Sequence, residues 1–307
     1  MKSSAAVAAA QDRILQAIGL MCLYVALIVC VNATGKVLTE SHHPHQVVFF
    51  RHGVAFLLML LLFAPRHGLR IVVPRRPGLQ ILRGLFGIAS SIFYFTGLAS
   101  VSLAMAAAIS FTSPLLVTAL SGPLLGEKVG LRRWAAVGVG FAGAMIVIRP
   151  GMGEAANWAP LLIAASSACA ALYQLCTRKL AGQDHAETTN IWSGLVGATV
   201  MCLLIPFAWE TPASAQVWVL FISLGLVGGI AHYLLTKAFE RGPASLLSPF
   251  NYLQLLGATL TGYLLYEQLP DGWTWVGAAV IVSAGLYVAH RESRLRERPV
   301  RAASSPR

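Results

Sequence analysis

The sequence predicts an all-α membrane protein in which ten transmembrane helices form two inverted five-helix repeats. Three observations predict this fold: an apolar composition, basic residues gathered in alternate loops, and a partial repeat of the first half in the second. Of the 307 residues, 56% are hydrophobic and 11% are charged, whereas soluble domains carry about 25% charged residues. Stretches such as 54–64 and 275–289 contain no charged residue, which indicates a hydrocarbon environment.

Ten apolar windows account for most of the chain. A helix that crosses about 30 Å of hydrocarbon needs about 20 largely apolar residues. The predicted spans are 14–38, 46–65, 79–99, 102–125, 132–149, 157–178, 188–209, 216–237, 243–266 and 272–290. Proline marks several ends, as at Pro65, Pro150 and Pro270. The first window is predicted to be a retained helix, because no small-residue cleavage site follows it.

The basic residues predict the orientation. If the N-terminus is cytoplasmic, 20 of the 23 lysines and arginines fall on the inner side, and the exceptions are Lys36, Arg51 and Arg149. By the positive-inside rule, both termini are cytoplasmic and the protein lies in the cell inner (plasma) membrane. The net charge of +11 therefore reflects membrane topology, and nucleic acid is not a predicted partner.

The predicted domain organisation is one repeat over residues 14–150, a second over 157–290, and a basic cytoplasmic tail over 291–307. The tail alternates basic and acidic residues. It is predicted to be disordered, or a frayed helix near the anionic inner leaflet. A homodimer is kept as an alternative to a monomer.

An internal repeat links the two halves. Shifted by 140 residues, Thr96–Glu127 aligns with Thr236–Glu267. Nine aligned positions are identical: Thr96/Thr236, Gly122/Gly262, Leu124/Leu264, Leu125/Leu265, Glu127/Glu267 and four further Ala or Leu pairs. The loop that follows is basic over 128–133 but acidic over 268–273, so the two loops are predicted on opposite membrane faces. This arrangement requires an odd number of helices in each half, and inverted repeats of this kind are typical of secondary transporters.

Several short motifs then resemble those of a known family. The matching stretches are Gln46–Arg51, Ser110–Leu115, Leu125–Lys128 with Arg132–Trp134, Val147–Gly151, Ser248–Tyr252, Val276–Ile281 and Ala284–Tyr287. In order and spacing they resemble the drug/metabolite transporter superfamily in its ten-helix EamA branch, over about residues 14–292. The resemblance implies two EamA repeats around a central cavity, with a substrate such as an amino acid, S-adenosylmethionine or riboflavin.

Two cations inside predicted spans are candidate substrate ligands, because charges at that depth are usually functional. Asn32, Lys36 and Glu40 share one helix face, since they recur every four residues. Lys36 is a substrate ligand, or else it reaches outward to water or pairs with Glu40. Arg51 is predicted to face inward, and the resemblance implies a conserved arginine there. If both line the cavity, the substrate carries a carboxylate, a phosphate or an electron-rich ring.

Other polar and aromatic side chains within spans are predicted to face the bundle interior, because hydrocarbon penalises an unsatisfied polar group. The remaining substrate-binding candidates are Tyr94, Tyr173, Gln174, Trp192, His232, Asn251, Tyr252 and Gln254, with Asn190 as a further polar residue. Hydrogen bonding between helices is the alternative for any one of them. Pro114 and Pro249 are predicted to bend their helices beside the cavity.

Other activities find little support in the sequence. All five cysteines lie in apolar windows without a CxxC pair, and the His42–His45 cluster has one nearby carboxylate, so neither a metal nor another cofactor is predicted. The chain has no GxSxG, HExxH or filter motif, which favours a carrier. An enzyme or a channel without a recognisable motif is the alternative. Gly122–Lys128 lacks the spacing of a phosphate loop. No acidic residue lies mid-span, so no proton-coupling residue is predicted.

Overall fold

The protein was analysed as a computed structural model that describes residues 2–126, 130–149, 158–180, 183–242 and 244–303. Within these ranges the secondary structure is helical throughout, with no strand. The helices are α1 (Lys2–Thr39), α2 (Pro44–His67), α3 (Pro77–Leu98), α4 (Leu103–Ser110), α5 (Ser113–Leu125), α6 (Leu131–Ile148), α7 (Ala159–Leu180), α8 (Ala186–Leu204), α9 (Ala215–Arg241), α10 (Ala244–Leu247), α11 (Leu253–Tyr266) and α12 (Gly272–Ala303). Short 3-10 segments lie at Leu69–Val72, Ile205–Phe207 and Ser248–Tyr252.

In the described part of the chain, nine helical segments are long and apolar enough to cross a membrane. One of them, Leu103–Leu125, combines α4 and α5. The remaining predicted span, 243–266, is divided into α10, a 3-10 segment and α11, and it is therefore not among the nine long helical segments. The all-α membrane architecture is thus confirmed.

The two spans in which Pro114 and Pro249 were predicted to bend the helix are both interrupted. α4 ends at Ser110 and α5 begins at Ser113, with Pro114 in its first turn. The carbonyl of Ile109 at this break accepts hydrogen bonds from the Thr112 hydroxyl at 2.7 Å and from the Ser167 hydroxyl at 3.3 Å. In the second half, Pro249 lies in the 3-10 segment. The breaks are stabilised by neighbouring helices, as irregular backbone at this depth requires.

Helix contacts repeat between the halves. If α1, α2 and α3 are exchanged with α7, α8 and α9, the contact of α3 with α7 becomes that of α1 with α9, and both occur. The contact of α2 with α9 likewise matches that of α3 with α8, and α6 packs against its counterpart α12. Equivalent helices run in opposite directions because five crossings separate them. The pairing has the symmetry of an inverted repeat.

The first and second halves of the chain pack closely against each other at α6 and α12. A Cβ atom at Gly143 would lie 2.9 Å from Val280 Cγ1 and 3.0 Å from the carbonyl oxygen of Gly277. A Cβ atom at Gly277 would lie 2.6 Å from the carbonyl oxygen of Gly143. The two backbones therefore approach to a distance that only glycine permits, which is a typical way to associate helices in lipid.

An ion pair and a helix cap close the same interface. Arg149, after α6, contacts Asp271, before α12, with Nη2 and Oδ2 2.5 Å apart. Asp271 Oδ1 also accepts the backbone N–H of Thr274 at 3.0 Å. Partial burial acts to raise the pKa of Asp271, but the hydrogen bonds from Thr274 and Arg149 outweigh it and hold the pKa below its ordinary value. The stabilisation is present above that ordinary value and is lost as the pH falls through the lowered pKa.

Some sequence predictions fall outside the described residues: the basic loop around Lys128 and the junction of the two halves at 150–157. α12 continues to Ala303, which is the helical alternative for residues 291–303, while residues 304–307 lie outside the described part. The division into two repeats and a tail remains a prediction.

Replacing Gly143 with valine is expected to destabilise the protein, because the side chain would force α6 away from α12. Overpacking of this kind costs about 1–3 kcal/mol. Thermal unfolding in detergent measures the change. Gly138→Val, also on α6 but with no atom within 4 Å of its Cβ position, is the control and should leave the midpoint nearly unchanged. Equal loss in both variants would contradict a specific contact with α12.

Candidate functional site

Several polar side chains in the middle of the bundle are enclosed by protein and yet reachable by solvent. Each lies deep among protein atoms and still keeps accessible surface. They are Arg51 and His52 of α2, Tyr94 of α3 and His232 of α9. Accessible surface inside a helical bundle belongs to an internal space, which we call the central cavity.

Arg51 is the charged group of the central cavity. Its guanidinium carbon lies 5.3 Å from the centre of the Phe95 ring, and Tyr94, Tyr24 and Tyr173 are near enough to interact with its charge. Among the described residues, no carboxylate forms an ion pair with Arg51. A desolvated cation without a counter-ion is unfavourable, so this site favours an electron-rich or anionic partner.

Hydrogen-bonding groups surround this cation. His52 Nε2 lies 2.9 Å from the Ser91 hydroxyl, and the ring of His232 lies 6.5 Å from that of Tyr24. Gln254 is within hydrogen-bonding reach of Tyr24 and donates to Asn251 Oδ1 at 3.3 Å. The α1, α2, α3, α9 and α11 helices thus bring aromatic and polar groups from both halves together.

Two of these side chains, Tyr24 and His52, were missed by the sequence reasoning. Tyr24 precedes Asn32 by eight residues and therefore shares its helix face, and His52 directly follows Arg51. Both signals were readable from the sequence. Asn32 itself is half-buried on α1.

In the structure Lys36 bonds the protein backbone, a setting that was not among the sequence predictions, and its role as a substrate ligand stays a prediction. Its side chain is 9% exposed, and Nζ donates to the carbonyl oxygens of Leu98 at 2.8 Å and Ala99 at 3.0 Å. Lysine side chains commonly donate to the free carbonyls at the C-terminal end of a helix, and here those carbonyls are at the end of α3. Lys36 therefore holds the end of α3 to α1 in this structure.

Other predicted candidates bond neighbouring helices or loops. Trp192 Nε1 donates to the Val72 carbonyl at 2.7 Å, and Gln174 Nε2 donates to the Ser113 hydroxyl at 3.1 Å. The Tyr252 ring lies 4.9 Å from that of Phe111, and its hydroxyl packs against Gly285. Asn190 Nδ2 donates to Thr236 at 3.3 Å. These contacts are those of helix association rather than of an open site.

Arg83 is a second interior cation, which the sequence reasoning counted among the cations on the inner side of the membrane. Its side chain lies on α3, and the residue is 3% exposed. It donates to Thr177 Oγ1 at 2.7 Å, to the Thr189 carbonyl at 2.8 Å, and to the hydroxyls of Ser193 and Tyr173. Within the described part of the chain, Arg83 thus donates hydrogen bonds to neutral oxygens only, and all of these oxygens belong to the second half.

The two halves of the chain also match a known family separately. The EamA-like transporter family matches residues 15–149 and residues 157–289. The chain belongs to the EamA-like transporter family. The resemblance to the drug/metabolite transporter superfamily is thereby confirmed.

The relatives of this EamA-like protein carry different substrate names. A riboflavin transporter of Rhizobium johnstonii is 33% identical over 257 residues, which are 83% of each chain. An S-adenosylmethionine uptake transporter of Rickettsia bellii is 29% identical and covers 86% of this chain and 89% of that protein. A pseudopaline exporter of Pseudomonas aeruginosa is 26% identical and covers 83% and 89%.

A solved crystal structure shares the fold with a TM-score of 0.63 at 22% identity, and covers 93% of this chain and 99% of that one. Together with the family and its named relatives, the fold makes this EamA-like protein a multi-pass membrane transporter of a small metabolite.

Substituting Lys36 with methionine is expected to lower stability without weakening substrate affinity, because the amine bonds backbone carbonyls. Hydrogen bonds from a charged donor are worth about 1.5–3 kcal/mol. Thermal unfolding and the concentration dependence of transport measure the two effects. Lys179→Met, at an exposed position of α7, is the control. Weakened affinity at unchanged stability would instead make Lys36 a substrate ligand.

Proposed function

We propose that this protein is a secondary carrier for an uncharged or anionic heteroaromatic metabolite of the riboflavin kind. The observation that carries the proposal is Arg51, a cation that has no counter-ion among the described residues and lies near several aromatic rings. The relatives named for riboflavin and for S-adenosylmethionine cover similar shares of the chain. Charge is therefore the property that separates them.

The charge of the central cavity favours a flavin over a sulfonium. S-Adenosylmethionine carries a net positive charge, because its sulfonium and ammonium groups outnumber its carboxylate, and Arg51 disfavours a net cation. No described acidic residue lies in the middle of a span to compensate. They lie at or near span ends, in loops or beyond the last span, and are Asp12, Glu40, Asp184, Glu187, Glu210, Glu240, Glu267, Asp271, Glu292 and Glu297. Riboflavin is uncharged at neutral pH and presents carbonyl oxygens that a guanidinium can bind.

The aromatic groups supply the remaining recognition. Phe95 is fully buried and packs edge to face on Tyr94 at 5.4 Å. Tyr94 of α3 and Tyr173 of α7 keep accessible surface and lie near enough to Arg51 to interact with its charge. Planar rings stack on such side chains, and a guanidinium also stacks on aromatic faces. His232 offers hydrogen bonds to the polar edge of a ring, whereas His52 is already within hydrogen-bonding distance of Ser91.

Alternating access is the mechanism that the fold supports. The contact pattern repeats between the halves, and the central cavity takes side chains from both. One half rocking against the other would expose such a site to each membrane face in turn. We place the protein in the inner membrane with both termini cytoplasmic, from the positive-inside rule, and assign it no enzymatic activity and no nucleic-acid partner. A homodimer stays a prediction.

Arg51→Ala is expected to weaken riboflavin binding by about 10- to 100-fold, because it removes charged hydrogen bonds. Arg51→Lys keeps the charge but loses the planar fork, and should fall between the two. Riboflavin-dependent thermal stabilisation of the purified protein measures affinity, with Arg178→Ala, at an exposed position of α7, as the control. Stabilisation by S-adenosylmethionine but not riboflavin would contradict the proposed substrate class.

Transport itself is expected to be saturable and independent of a proton gradient, because no carboxylate of the described residues lies mid-span to carry a proton. Counterflow of labelled riboflavin in proteoliposomes, with and without a pH gradient, measures both properties. Flux that rises linearly with concentration would favour a channel, and formation of a product would favour an enzyme. Uptake that requires the gradient would contradict the uncoupled mechanism.

A further inference from the structure

The end of the bundle at which α3 begins is closed by a buried polar network between the halves. We call it the inner closure, and it consists of Gln80, Arg83, Tyr173, Thr177, Asp184, Thr189 and Ser193. Gln80 and Arg83 are one turn apart on α3, and each reaches into the second half. The positive-inside rule predicts that this end is cytoplasmic.

Gln80 forms the outer layer of the inner closure. Its Nε2 donates to Asp184 Oδ2 at 2.9 Å and to Thr189 Oγ1 at 3.2 Å. Asp184 Oδ1 in turn accepts the backbone N–H of Arg75 at 2.8 Å. The amide oxygen of Gln80 is buried without a hydrogen-bond partner among the described residues, so this layer is less stable than its number of bonds suggests.

Arg83 forms the layer nearer the central cavity. It crosses to α7 through Thr177 and Tyr173 and to α8 through Thr189 and Ser193. All four acceptors are neutral oxygens. If the two halves separate here, water can replace these acceptors. Breaking a buried ion pair carries a severe penalty because a charge is left without its partner, and here no carboxylate partner of Arg83 is left behind. The contact is therefore strong when closed and still able to open.

Tyr173 belongs to both the inner closure and the central cavity. Arg83 donates to its hydroxyl and lies 4.2 Å from the centre of its ring. The same tyrosine is close enough to Arg51 and Tyr24 to interact with them electrostatically. A ligand that moves Tyr173 in the cavity must therefore disturb the bonds of Arg83.

We propose that Arg83 is a positioning residue for transport, which holds Tyr173 in the central cavity and keeps the cytoplasmic end closed until substrate engages that tyrosine. The proposal rests on the carrier function proposed above. It differs from a purely structural role in that substrate binding and opening of this end are coupled through one hydrogen bond.

Cys176 is a native reporter for this opening. It lies on α7 beside Thr177, and its residue is 8% exposed. In a protein whose other four cysteines are replaced by serine, a membrane-impermeant maleimide added to inside-out vesicles should label Cys176 slowly. Arg83→Ala should raise the labelling rate by about 10-fold, as expected for loss of a charged hydrogen bond. Arg178→Ala, next to Thr177 but exposed, should leave the rate unchanged.

Further variants separate positioning from structure. In the parent protein, riboflavin should accelerate the labelling of Cys176. Tyr173→Phe keeps the ring and removes the hydroxyl, so it should accelerate labelling by itself and abolish the further acceleration by riboflavin. Arg83→Lys should restore slow labelling in part. If Arg83→Ala does not fold, Thr177→Val removes a single acceptor of the arginine and should give a smaller acceleration.

The outcomes distinguish this inference from the proposed substrate. An unchanged labelling rate in the folded Arg83→Ala or Thr177→Val variant would overturn the closure, even if riboflavin binds. Faster labelling with no response to riboflavin in the parent protein would keep the closure but overturn its coupling to that substrate. Labelling only from right-side-out vesicles would overturn the assignment to the cytoplasmic end.

Discussion

The constraint on which this structure depends is that every backbone N–H and C=O within hydrocarbon needs a partner inside the protein. The constraint explains why the described chain is helical throughout, and why its irregular segments at membrane depth lie within the bundle. At the α4–α5 break, the Ile109 carbonyl is bonded by Thr112 and by Ser167 of α7. A helix can be interrupted beside the cavity because another helix replaces the missing bonds.

The same constraint governs the side chains. Ser90 and Ser166 exchange hydrogen bonds with each other's carbonyls at 3.0 and 2.8 Å, and this draws α3 and α7 together across the two halves. Glycine does the same for α6 and α12 through Gly143 and Gly277. At these two places the contact between the halves is built from small and weakly polar groups. Such surfaces associate without a fixed ion pair in the middle of the membrane.

The two interior arginines show how surroundings decide the role of a residue. Arg83 has an oxygen acceptor for each of its nitrogens and is 3% exposed. Arg51 has aromatic faces and accessible surface, and no described carboxylate pairs with it. The first is satisfied by the protein and stabilises a contact between helices. The second is the residue that we propose as a substrate ligand.

The sequence by itself determined the helical membrane fold, because hydropathy and helix length are local properties that the bilayer reads directly. It also predicted that the helices bend at Pro114 and Pro249, the family, and Arg51 as an interior cation. It counted Arg83 among the cations of the inner side, and it did not separate Arg51 from Lys36, or the cavity residues from Trp192 and Gln174. Those distinctions depend on which oxygens and rings of distant helices lie within a few ångströms, and only the tertiary structure decided them.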